Sequence, residues 1–542
     1  MRNLIKNKKF QILLIFIISL IFFLFLQFST PNLFGNDTFY HIKCADLIKS
    51  GGLIKDFPWL KFTILHNSQY VDHHFLFHLF LVPFLSLGLI MGPKIACALS
   101  ASFIFILFFL LLDSQKIKAK FLWTVILLFG SYPFILRLNL IRAQNLSLIF
   151  LILGLFCILK RKYLWLGVIS FLYVWLFDGF VLLPFLALIY SLVFYFTSKK
   201  WTSFYTFWVS FSGMILGIII NPYFPKNIHF LLTHLGKVIT SPVSIPKGGE
   251  WYPLEFSNVL GFLIPFLLFV ASVAFVLIFR FIKKKSDKSG NYKIHGNYQN
   301  AVARFIGPKE KVQKIYFLGL VSIIMFIATI FSQRFIEYFI PLSLLFSVFC
   351  LDYYFKQAKE SKSPFYKKID NLFYLIHDKL TKEQFKLLLK NKAFPILLGL
   401  FVFVLTFFVL NVQKSTKTLL STSPYDKYKK ASKWLIQNTG KGSIIFNVNW
   451  DDFPQLFFWN DHNYYIVGLD PTFMYEYNKD LWEKYRNIKE DLDKTANIIK
   501  EDFGSKYVFL SERNKELAEE LDKREDFKKV YEDEKAKIYK LN

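Results

Sequence analysis

The chain has 542 residues, of which 54% are hydrophobic and 19% aromatic, and its formal net charge is +27. Several apolar runs are long enough to cross a bilayer core of about 30 Å, which excludes a soluble globular protein. The Lys and Arg residues form short clusters between these runs, as in the cytoplasmic segments of membrane proteins. The charge therefore orients the chain in lipid, and we expect no nucleic-acid partner.

The first predicted element is a membrane helix from Phe10 to Phe28, which follows a basic start. The apolar stretch is too long for the core of a signal peptide, and no small-x-small cleavage site follows it, so we expect the helix to be retained. A basic start on the inside places the N-terminus in the cytoplasm. The segment 29–92 then becomes the first outer loop, and its part from Ser29 to His74 is too polar to span.

Ten more membrane spans are predicted after this loop, several of them close to the lower length limit of about 17 residues. They lie at 93–112, 121–138, 143–159, 163–177, 179–197, 201–221, 257–280, 313–331, 335–355 and 394–412. The apolar segment Phe75 to Met91 is broken by Pro83 and Gly88, and we predict an interfacial helix there. That choice keeps the basic loops, including 281–312 and 356–393, in the cytoplasm.

The composition becomes that of a soluble domain after about Asn411, which divides the chain into a membrane domain, 1–412, and an outer α/β domain, 413–542. In this tail we predict strands at 443–448, 464–468 and 507–510, and an edge hairpin in the last dozen residues. Helices are predicted from Ser423-Pro424 to Gly440, over 478–502 and over 512–525.

The composition also bears on the source and on disulfides. Four cysteines are scattered without paired spacing, so no disulfide framework or cysteine metal site is indicated. The abundance of Lys, Ile, Phe and Asn, together with the absence of disulfides, favours a bacterial or archaeal plasma-membrane protein.

Two clusters of acidic and histidine residues bracket the first outer loop. The first is Gly35-Asn36-Asp37-Thr38-Phe39-Tyr40-His41, and the second is Tyr70-Val71-Asp72-His73-His74. Asp37 beside the membrane could act as a general base, or could hold a divalent cation (Mg or Mn) against a phosphate leaving group. Alternatively, Asp37 is the cap of a helix over 38–50. The presence of both clusters favours function.

The second cluster, with His78 one helical turn further on, offers a carboxylate and three imidazoles. Neighbouring histidines on a helix point in different directions, so one metal shared by all of them is not expected. We predict Asp72 as the partner of Asp37 in catalysis or in cation binding. His41, His73 and His74 are predicted to bind substrate, with His73 on a phosphate or supporting the carboxylate; an interfacial helix start is the alternative.

Charges at the edge of the membrane are costly and are therefore candidates for function. Arg142 lies in an outer turn, and Arg334 and Glu337 open an outer helix end. A guanidinium group suits a lipid-linked phosphate or diphosphate, because it presents planar donors and stays charged. We predict substrate-binding roles for all three residues. Equally, Arg334 could pair with Glu337 one turn later and only orient the helix.

In the tail, Trp450 and Asp451 follow a predicted strand. Ligands of α/β folds gather at the carboxyl ends of strands, so this pair is predicted to bind a sugar or peptide acceptor. A plain helix cap at Asp451 is the alternative.

Together these residues resemble the GT-C superfamily of membrane glycosyltransferases over roughly residues 10–355. The stretch from Asp37 to His41 resembles the first acidic motif of the oligosaccharyltransferase catalytic subunit. The order of elements is similar to that of protein O-mannosyltransferases and of the aminoarabinose transferase of lipid A. Trp450-Asp451-Asp452 resembles the Trp-Trp-Asp acceptor motif but lacks its second Trp and the following Tyr-Gly. The turn Arg142-Ala-Gln-Asn145 lacks the acidic pair expected in the next outer loop.

The resemblance implies a polytopic α-helical GT-C-like protein, with about eleven spans and interfacial helices, that moves a sugar from a polyprenyl phosphate or diphosphate to an acceptor on the non-cytoplasmic face. The acceptor could be a protein, a lipid or a glycan. Asp37 would activate the acceptor, Asp72 and His73 would complete the pocket, and Arg334 would stabilise the departing phosphate. The alternatives are a transporter or flippase of lipid-linked sugars and a non-catalytic receptor or assembly factor. Transporters usually have repeated halves and polar groups at the midplane, whereas here no repeat is visible and the charges cluster at one face.

Overall fold

The computed structural model describes residues 7–66, 70–240, 245–246, 248–288, 309–360, 394–489 and 492–542. Most of the predicted basic loops 281–312 and 356–393 therefore lies outside the described residues. The described part is mostly helical and ends in a small five-stranded sheet.

Among the described residues before the sheet domain, fifteen α-helices have seven residues or more. They are α1 Lys8–Phe28, α2 Asp37–Gly51, α3 Phe75–Leu81, α4 Met91–Ser114, α5 Lys120–Phe129, α6 Tyr132–Leu138, α7 Gln144–Lys160, α8 Tyr163–Val174, α9 Leu182–Ser198, α10 Tyr205–Ile219, α11 Lys226–Thr240, α12 Leu263–Lys288, α13 Lys309–Phe331, α14 Ile336–Glu360 and α15 Phe394–Leu420.

Eight segments of the described chain are helical, long and apolar enough to cross a membrane, as expected of a multi-pass membrane protein. The pair α5 and α6 would add a ninth, although its two parts meet at 81°. The predicted spans at 143–159 and 163–177 correspond to α7 and α8, which are apolar but shorter than the other spans. The total of eleven spans stays a prediction.

The predicted interfacial segment forms a helix in two parts. Phe75–Leu81 is α-helical, and Val82–Leu87 continues as a tighter 3-10 helix that contains Pro83 near its start. Gly88 ends the segment with a φ of +96°, a conformation that side chains with a Cβ rarely adopt. The whole is shorter than the spanning helices.

Small residues let α8 and α10 pack closely. A Cβ added to Gly213 would lie 2.3 Å from the carbonyl oxygen of Gly167, so only glycine fits there. The hydroxyl groups of Ser170 and Ser210 hydrogen-bond across the same interface at 2.8 Å. Close backbone approach of this kind is how apolar helices associate in lipid, where the hydrophobic effect gives no preference for a partner.

The described part of the tail contains six α-helices around a mixed sheet with the strand order β2-β1-β3-β5-β4. The strands are β1 Ile444–Asn447, β2 Tyr464–Tyr465, β3 Tyr507–Ser511, β4 Phe527–Glu532 and β5 Ala536–Leu541, and the helices are α16 Lys429–Asn438, α17 Phe453–Trp459, α18 Thr472–Tyr477, α19 Lys479–Arg486, α20 Leu492–Asn497 and α21 Lys515–Asp522. Strand β1 is parallel to β2 and β3, whereas β5 runs antiparallel to β3 and β4.

The three predicted strands and the terminal hairpin are present, but two predicted helices differ. The helix expected from Pro424 begins at Lys429, because residues 425–428 form turns. The helix expected over 478–502 is divided into several short pieces.

The first outer loop and the tail share one hydrophobic core. The backbone N–H of Tyr465 donates to the carbonyl of Trp59 at 2.8 Å, and Leu60 bridges Tyr465 in parallel, so the loop extends the edge of the sheet at β2. Phe457 in α17 lies against the rings of Phe57 and Trp59, with centroids 5.4 and 5.0 Å away. The tail is thus packed onto the loop rather than tethered beside it.

We expect Phe457→Ala to lower the free energy of unfolding by about 3–5 kcal/mol, the usual cost of removing a fully buried phenylalanine. Phe457 is 0% exposed and sits where the loop and the tail meet. Thermal unfolding of the purified protein, together with limited proteolysis of the tail, measures the change. Tyr477→Ala is the matched control, because Tyr477 is 47% exposed. Equal effects of the two substitutions would contradict the shared core.

Candidate functional site

A cavity of about 670 Å³ lies between the tail and the end of the membrane helices on which the tail packs. Its walls come from the start of α2, the turn between α6 and α7, residues 246–251, and two tail segments around 450 and 470. The lining residues are Phe34, Asn36, Asp37, Leu136, Arg137, Leu140, Arg142, Pro246, Gly248, Gly249, Glu250, Trp251, Trp450, Asp451, Leu469, Asp470, Pro471 and Thr472. Four of the predicted site residues, Asp37, Arg142, Trp450 and Asp451, therefore face one space.

Asp37 is the first residue of α2, and Asn36 is the N-cap, so the predicted cap at Asp37 is wrong. The side-chain amide of Asn36 donates instead to the backbone carbonyl of Asp451 in the tail. The Asp37 carboxylate lies 2.9 Å from a guanidinium nitrogen of Arg142, and its side chain is 39% exposed. A carboxylate at a helix N-terminus is favoured by the helix dipole. Asp37 is thus held in place and open to the cavity.

Three arginines converge on Glu250, a residue of the loop 246–251. Arg142 and Arg137 approach one of its oxygens at 2.9 and 3.2 Å, and Arg334 approaches the other at 3.9 Å. Burial alone would raise the pKa of Glu250, but the charges of Arg142, Arg334 and Arg137 outweigh it and hold that pKa well below its ordinary value. Glu250 therefore stays ionised and ties the three guanidinium groups together.

Arg334 and Glu337 do not form the pair that their spacing predicts. Glu337 accepts from Arg137 at 2.6 Å. The guanidinium of Arg334 instead lies over the rings of Trp251 and Phe177, 4.7 and 5.5 Å from their centroids. The reason is local: Arg334 belongs to a 3-10 turn, Gln333–Phe335, that precedes α14, so the two residues are not one α-helical turn apart.

Some buried polar atoms of this cluster have no hydrogen-bond partner within the described chain. They are Nη2 of Arg137, Nε of Arg142 and Oε1 of Glu337. Buried donors without partners are costly, and a ligand that reaches them recovers that cost. The two arginine donors suit the oxygens of an anionic group.

Asp72 is buried and is not among the residues that line the cavity. One of its oxygens lies 2.7 Å from Nδ1 of His78, and the other accepts from the backbone N–H of His74 at 3.0 Å. Nε2 of His78 in turn lies 2.9 Å from Nδ1 of His41, which is one helical turn after Asp37. The structure thus links Asp72 to α2 through two imidazoles, whereas the sequence predicted direct partnership with Asp37.

His73 and His74 flank this chain of hydrogen bonds. His73 lies 3.7 Å from the carboxylate of Asp178, and the ring of His74 packs edge-on against His41 with centroids 4.9 Å apart. Burial, followed by the charge of His78, lowers the pKa of His41 well below its ordinary value. Burial and then His73 lower the pKa of His74 in the same direction. Both imidazoles are therefore neutral near pH 7.

Asp37 and Asp72 are not arranged to hold a cation between them, because both carboxylates already have partners. Asp72 is occupied by His78 and the backbone, and Asp37 is paired with Arg142. Across the described ranges, no group of three or more His, Cys, Asp or Glu side chains is arranged to hold a metal ion.

On the tail side, Asp451 is fixed by the two nitrogens of Arg513 at 2.7 and 2.8 Å. The neighbouring Asp452 accepts from Arg513 and from the hydroxyl of Tyr428, at 2.8 and 2.7 Å. Arg513 and Tyr428 therefore hold the acidic pair in place, and Trp450, Asp451 and Asp470 line the cavity. The Asp451 carboxylate is paired rather than serving as a plain helix cap.

Sequence reasoning missed several residues of the site. Glu250 is the most central of them, and Asp470 and Arg513 were given no role. The signal available for Glu250 was an acidic residue between two glycines and a tryptophan in a loop on the outer face. Arg137 was visible as an outer-turn arginine, but its partners Glu250 and Glu337 are distant in sequence.

We expect Glu250→Gln to lower the free energy of unfolding by about 3 kcal/mol at pH 7, because it leaves three buried guanidinium groups without their shared partner. The pKa of Glu250 is depressed, so its contribution is present above the unfolded-state pKa of about 4.3 and is lost as the pH falls toward the folded-state pKa. The difference in melting temperature between the wild type and Glu250→Gln should have its full size at pH 7 and should shrink below about pH 4.

Glu255→Gln is the control for this experiment, since Glu255 is an exposed residue of the same outer loop. It should change the melting temperature little at either pH. A Glu250→Gln protein as stable as the wild type at pH 7 would show that the arginines do not depend on this carboxylate.

No family model matches the sequence, and the search of curated proteins gives no match. Solved structures do match. The apo oligosaccharyltransferase of Archaeoglobus fulgidus has a TM-score of 0.59 at 14% identity, covering 93% of this chain and 70% of its own. The archaeal oligosaccharyltransferase AglB from Archaeoglobus fulgidus, in complex with an inhibitory peptide and a dolichol-phosphate, has a TM-score of 0.60 with the same identity and coverage. Apo ArnT from Cupriavidus metallidurans has a TM-score of 0.50 at 11% identity, covering 97% of each chain.

At these identities the likeness concerns the fold. It confirms the resemblance that the sequence indicated: this chain has the fold of the GT-C membrane glycosyltransferases.

Proposed function

We propose that the chain is a glycosyltransferase of the GT-C type that moves a sugar from a polyprenyl phosphate or diphosphate to an acceptor on the non-cytoplasmic face of the membrane. The observation that carries the proposal is the cavity that Asp37 and its partner Arg142 line together with Arg137, Glu250 and Trp450 of the tail. The fold supports it, because a neighbour with this architecture was solved with a dolichol-phosphate. The N-terminus lies in the cytoplasm and the tail outside.

Asp37 is the residue best placed to act on the acceptor. Its side chain is 39% exposed, against 21% for Glu250 and 4% for Glu337, so it is the most accessible carboxylate of the cluster. The acceptor attacks the anomeric carbon, the bond from that carbon to the phosphate oxygen breaks, and the phosphate leaves with the electron pair. Asp37 takes the proton of the acceptor, and Arg142 keeps the carboxylate oriented.

The arginine cluster stabilises the departing phosphate. Among the described residues, the buried Nη2 of Arg137 and Nε of Arg142 have no hydrogen-bond partner, and Arg334 lies over Trp251 and 3.9 Å from Glu250. Preorganised donors of this kind act on charge that develops as the bond breaks, and they need little rearrangement at that moment. A divalent cation, if one takes part, would be held by Asp37 together with the phosphate oxygens of the donor.

The tail supplies the acceptor side of the cavity. Trp450 offers a flat apolar face for a sugar ring or an apolar side chain, and Asp470 offers a carboxylate beside it. The hydroxyl and the backbone N–H of Thr472 donate to Asp470 at 2.7 and 2.8 Å, which fixes the position of that carboxylate. We therefore assign acceptor binding to Trp450, Asp451 and Asp470.

We expect Asp37→Asn to abolish release of the lipid phosphate, with a fall in turnover of at least 100-fold, because the amide cannot take the proton. The protein is purified in lipid and supplied with radiolabelled polyprenyl-phosphate and polyprenyl-diphosphate sugars, with and without a chelator. Carrier consumption is the measurement, and loss of activity with the chelator would establish the cation.

Asp46→Asn is the matched control, since Asp46 lies in the same helix and does not line the cavity. It should keep wild-type turnover. If no donor is consumed, or if Asp37→Asn matches the wild type, the proposed mechanism is lost and the transporter and receptor alternatives become the better explanations.

We expect Arg334→Gln to raise the KM for the lipid-linked donor about 10-fold or more, because it removes a charge-assisted contact to the phosphate. Glu250 keeps Arg137 and Arg142 in this variant, so the fold should persist. Initial rates at a series of donor concentrations give KM and kcat. Arg161→Gln is the control, because Arg161 follows the last residue of α7, at the end away from Arg142. If only the KM for the acceptor changed, Arg334 would not be a residue that binds the donor.

A further inference from the structure

A second cavity, of about 280 Å³, lies at the other end of the membrane helices. It forms where α4 and α7 end, where α13 begins and where α14 passes. Helix α7 starts two residues after Arg142 and ends at Lys160 in this cavity, so its 17 residues separate the two cavities by about 25 Å. The second cavity is therefore distinct from the candidate active site, at the end predicted to face the cytoplasm.

Four lysines line this cavity: Lys116, Lys160, Lys311 and Lys314. Lys314 is paired, with Glu310 at 2.9 Å and the side-chain oxygen of Gln115 at 3.1 Å. Within the residues that the structure describes, the ammonium groups of Lys116, Lys160 and Lys311 have no hydrogen-bond or ion-pair partner. Three unpaired positive charges thus face one small space.

The acidic residues of the lining are already occupied. Glu310 is bound by Lys314, and Asp352 is bound by the ammonium of Lys356 and by the backbone N–H of Lys118, the latter at 3.4 Å. The positive-inside tendency accounts for lysines at this end of the protein but not for their convergence on a cavity whose two acidic residues already have lysine partners.

One further feature selects the kind of ligand. Helix α13 begins at this cavity, but α4 and α7 end there, so the lysines rather than the helix dipoles supply the positive charge. Ile117, Ile315 and Phe349 add an apolar side to the lining. A free inorganic ion makes no apolar contacts with these side chains. A phospholipid has apolar carbons next to its phosphate, which can pack against them.

We propose that this cavity binds a phosphate group, carried by an anionic phospholipid of the surrounding membrane. Basic pockets between membrane helices on the cytoplasmic side bind anionic headgroups through the same combination of charge and apolar contact. The phosphate lies among Lys116, Lys160 and Lys311, and the acyl chains pass along the apolar side. The site is independent of glycosyl transfer.

The test uses the full-length protein in lipid nanodiscs that contain phosphatidylcholine with or without phosphatidylglycerol. Bound lipid is counted by mass spectrometry, and its affinity is measured by titration. We expect selective binding of phosphatidylglycerol and a loss of about 100-fold in the variant Lys116→Gln, Lys160→Gln and Lys311→Gln, because each lysine near an anionic group contributes roughly a factor of five. The single variants carry the test if the triple variant does not fold.

The control removes the same charge from the same end of the protein. Lys162, Lys199 and Lys200 are exposed and do not line the cavity, so their triple Gln variant should keep wild-type affinity. Inorganic phosphate in detergent forms a second arm: binding there that is lost in the cavity variant identifies free phosphate as a ligand of the same site. Equal losses in both triple variants, or no binding of either ligand, would overturn the proposal.

Discussion

Three guanidinium groups share one carboxylate at the end of the helices that the tail covers, and the candidate site is built around that shared interaction. Glu250 holds Arg142, Arg137 and Arg334, which come from two separate parts of the chain. Removing these charges from water costs free energy. A cluster of this kind therefore contributes more to the positioning of its side chains than to stability. The cluster positions Asp37, because Arg142 binds both Glu250 and the Asp37 carboxylate.

The second constraint is the packing of the tail on the first outer loop. Phe57 and Phe457 belong to one core although they are 400 residues apart in the chain, and Leu60 bridges the edge strand of the sheet. This contact brings Trp450 and Asp451 into the lining of the cavity that Arg142 also lines. Asn36 then joins the two halves directly, by its hydrogen bond to the carbonyl of Asp451. The cavity exists only where the loop and the tail meet, so neither part contains the site alone.

Local patterns in the sequence predicted the helices and strands, because their formation depends mainly on neighbouring residues. Hydropathy located the long membrane helices, and the apolar runs located β1, β2 and β3. The acidic start of α2 and the outer-turn Arg142 also proved to be neighbours, because both lie at helix ends on one face.

Contacts between distant segments could not be predicted in this way. The spacing of Arg334 and Glu337 suggested a pair, yet Glu337 binds Arg137, which is 200 residues away in sequence. Glu250 gave little signal because its importance comes from three partners that no local pattern connects to it. Asp72 looked like an open carboxylate beside two histidines, whereas its partner His78 lies one helical turn further along and is buried with it.

The buried chain from Asp72 to His41 completes the argument about α2. A carboxylate at Asp72 favours the proton on Nδ1 of His78, which leaves Nε2 of that ring to accept from Nδ1 of His41. His41 is therefore fixed in one orientation and one tautomer, four residues after Asp37 on the same face of the helix. The first turn of α2 is held from inside by this chain and from the cavity side by Arg142. A carboxylate that must meet an acceptor in a defined geometry needs such support, because small displacements of reacting groups reduce rates steeply.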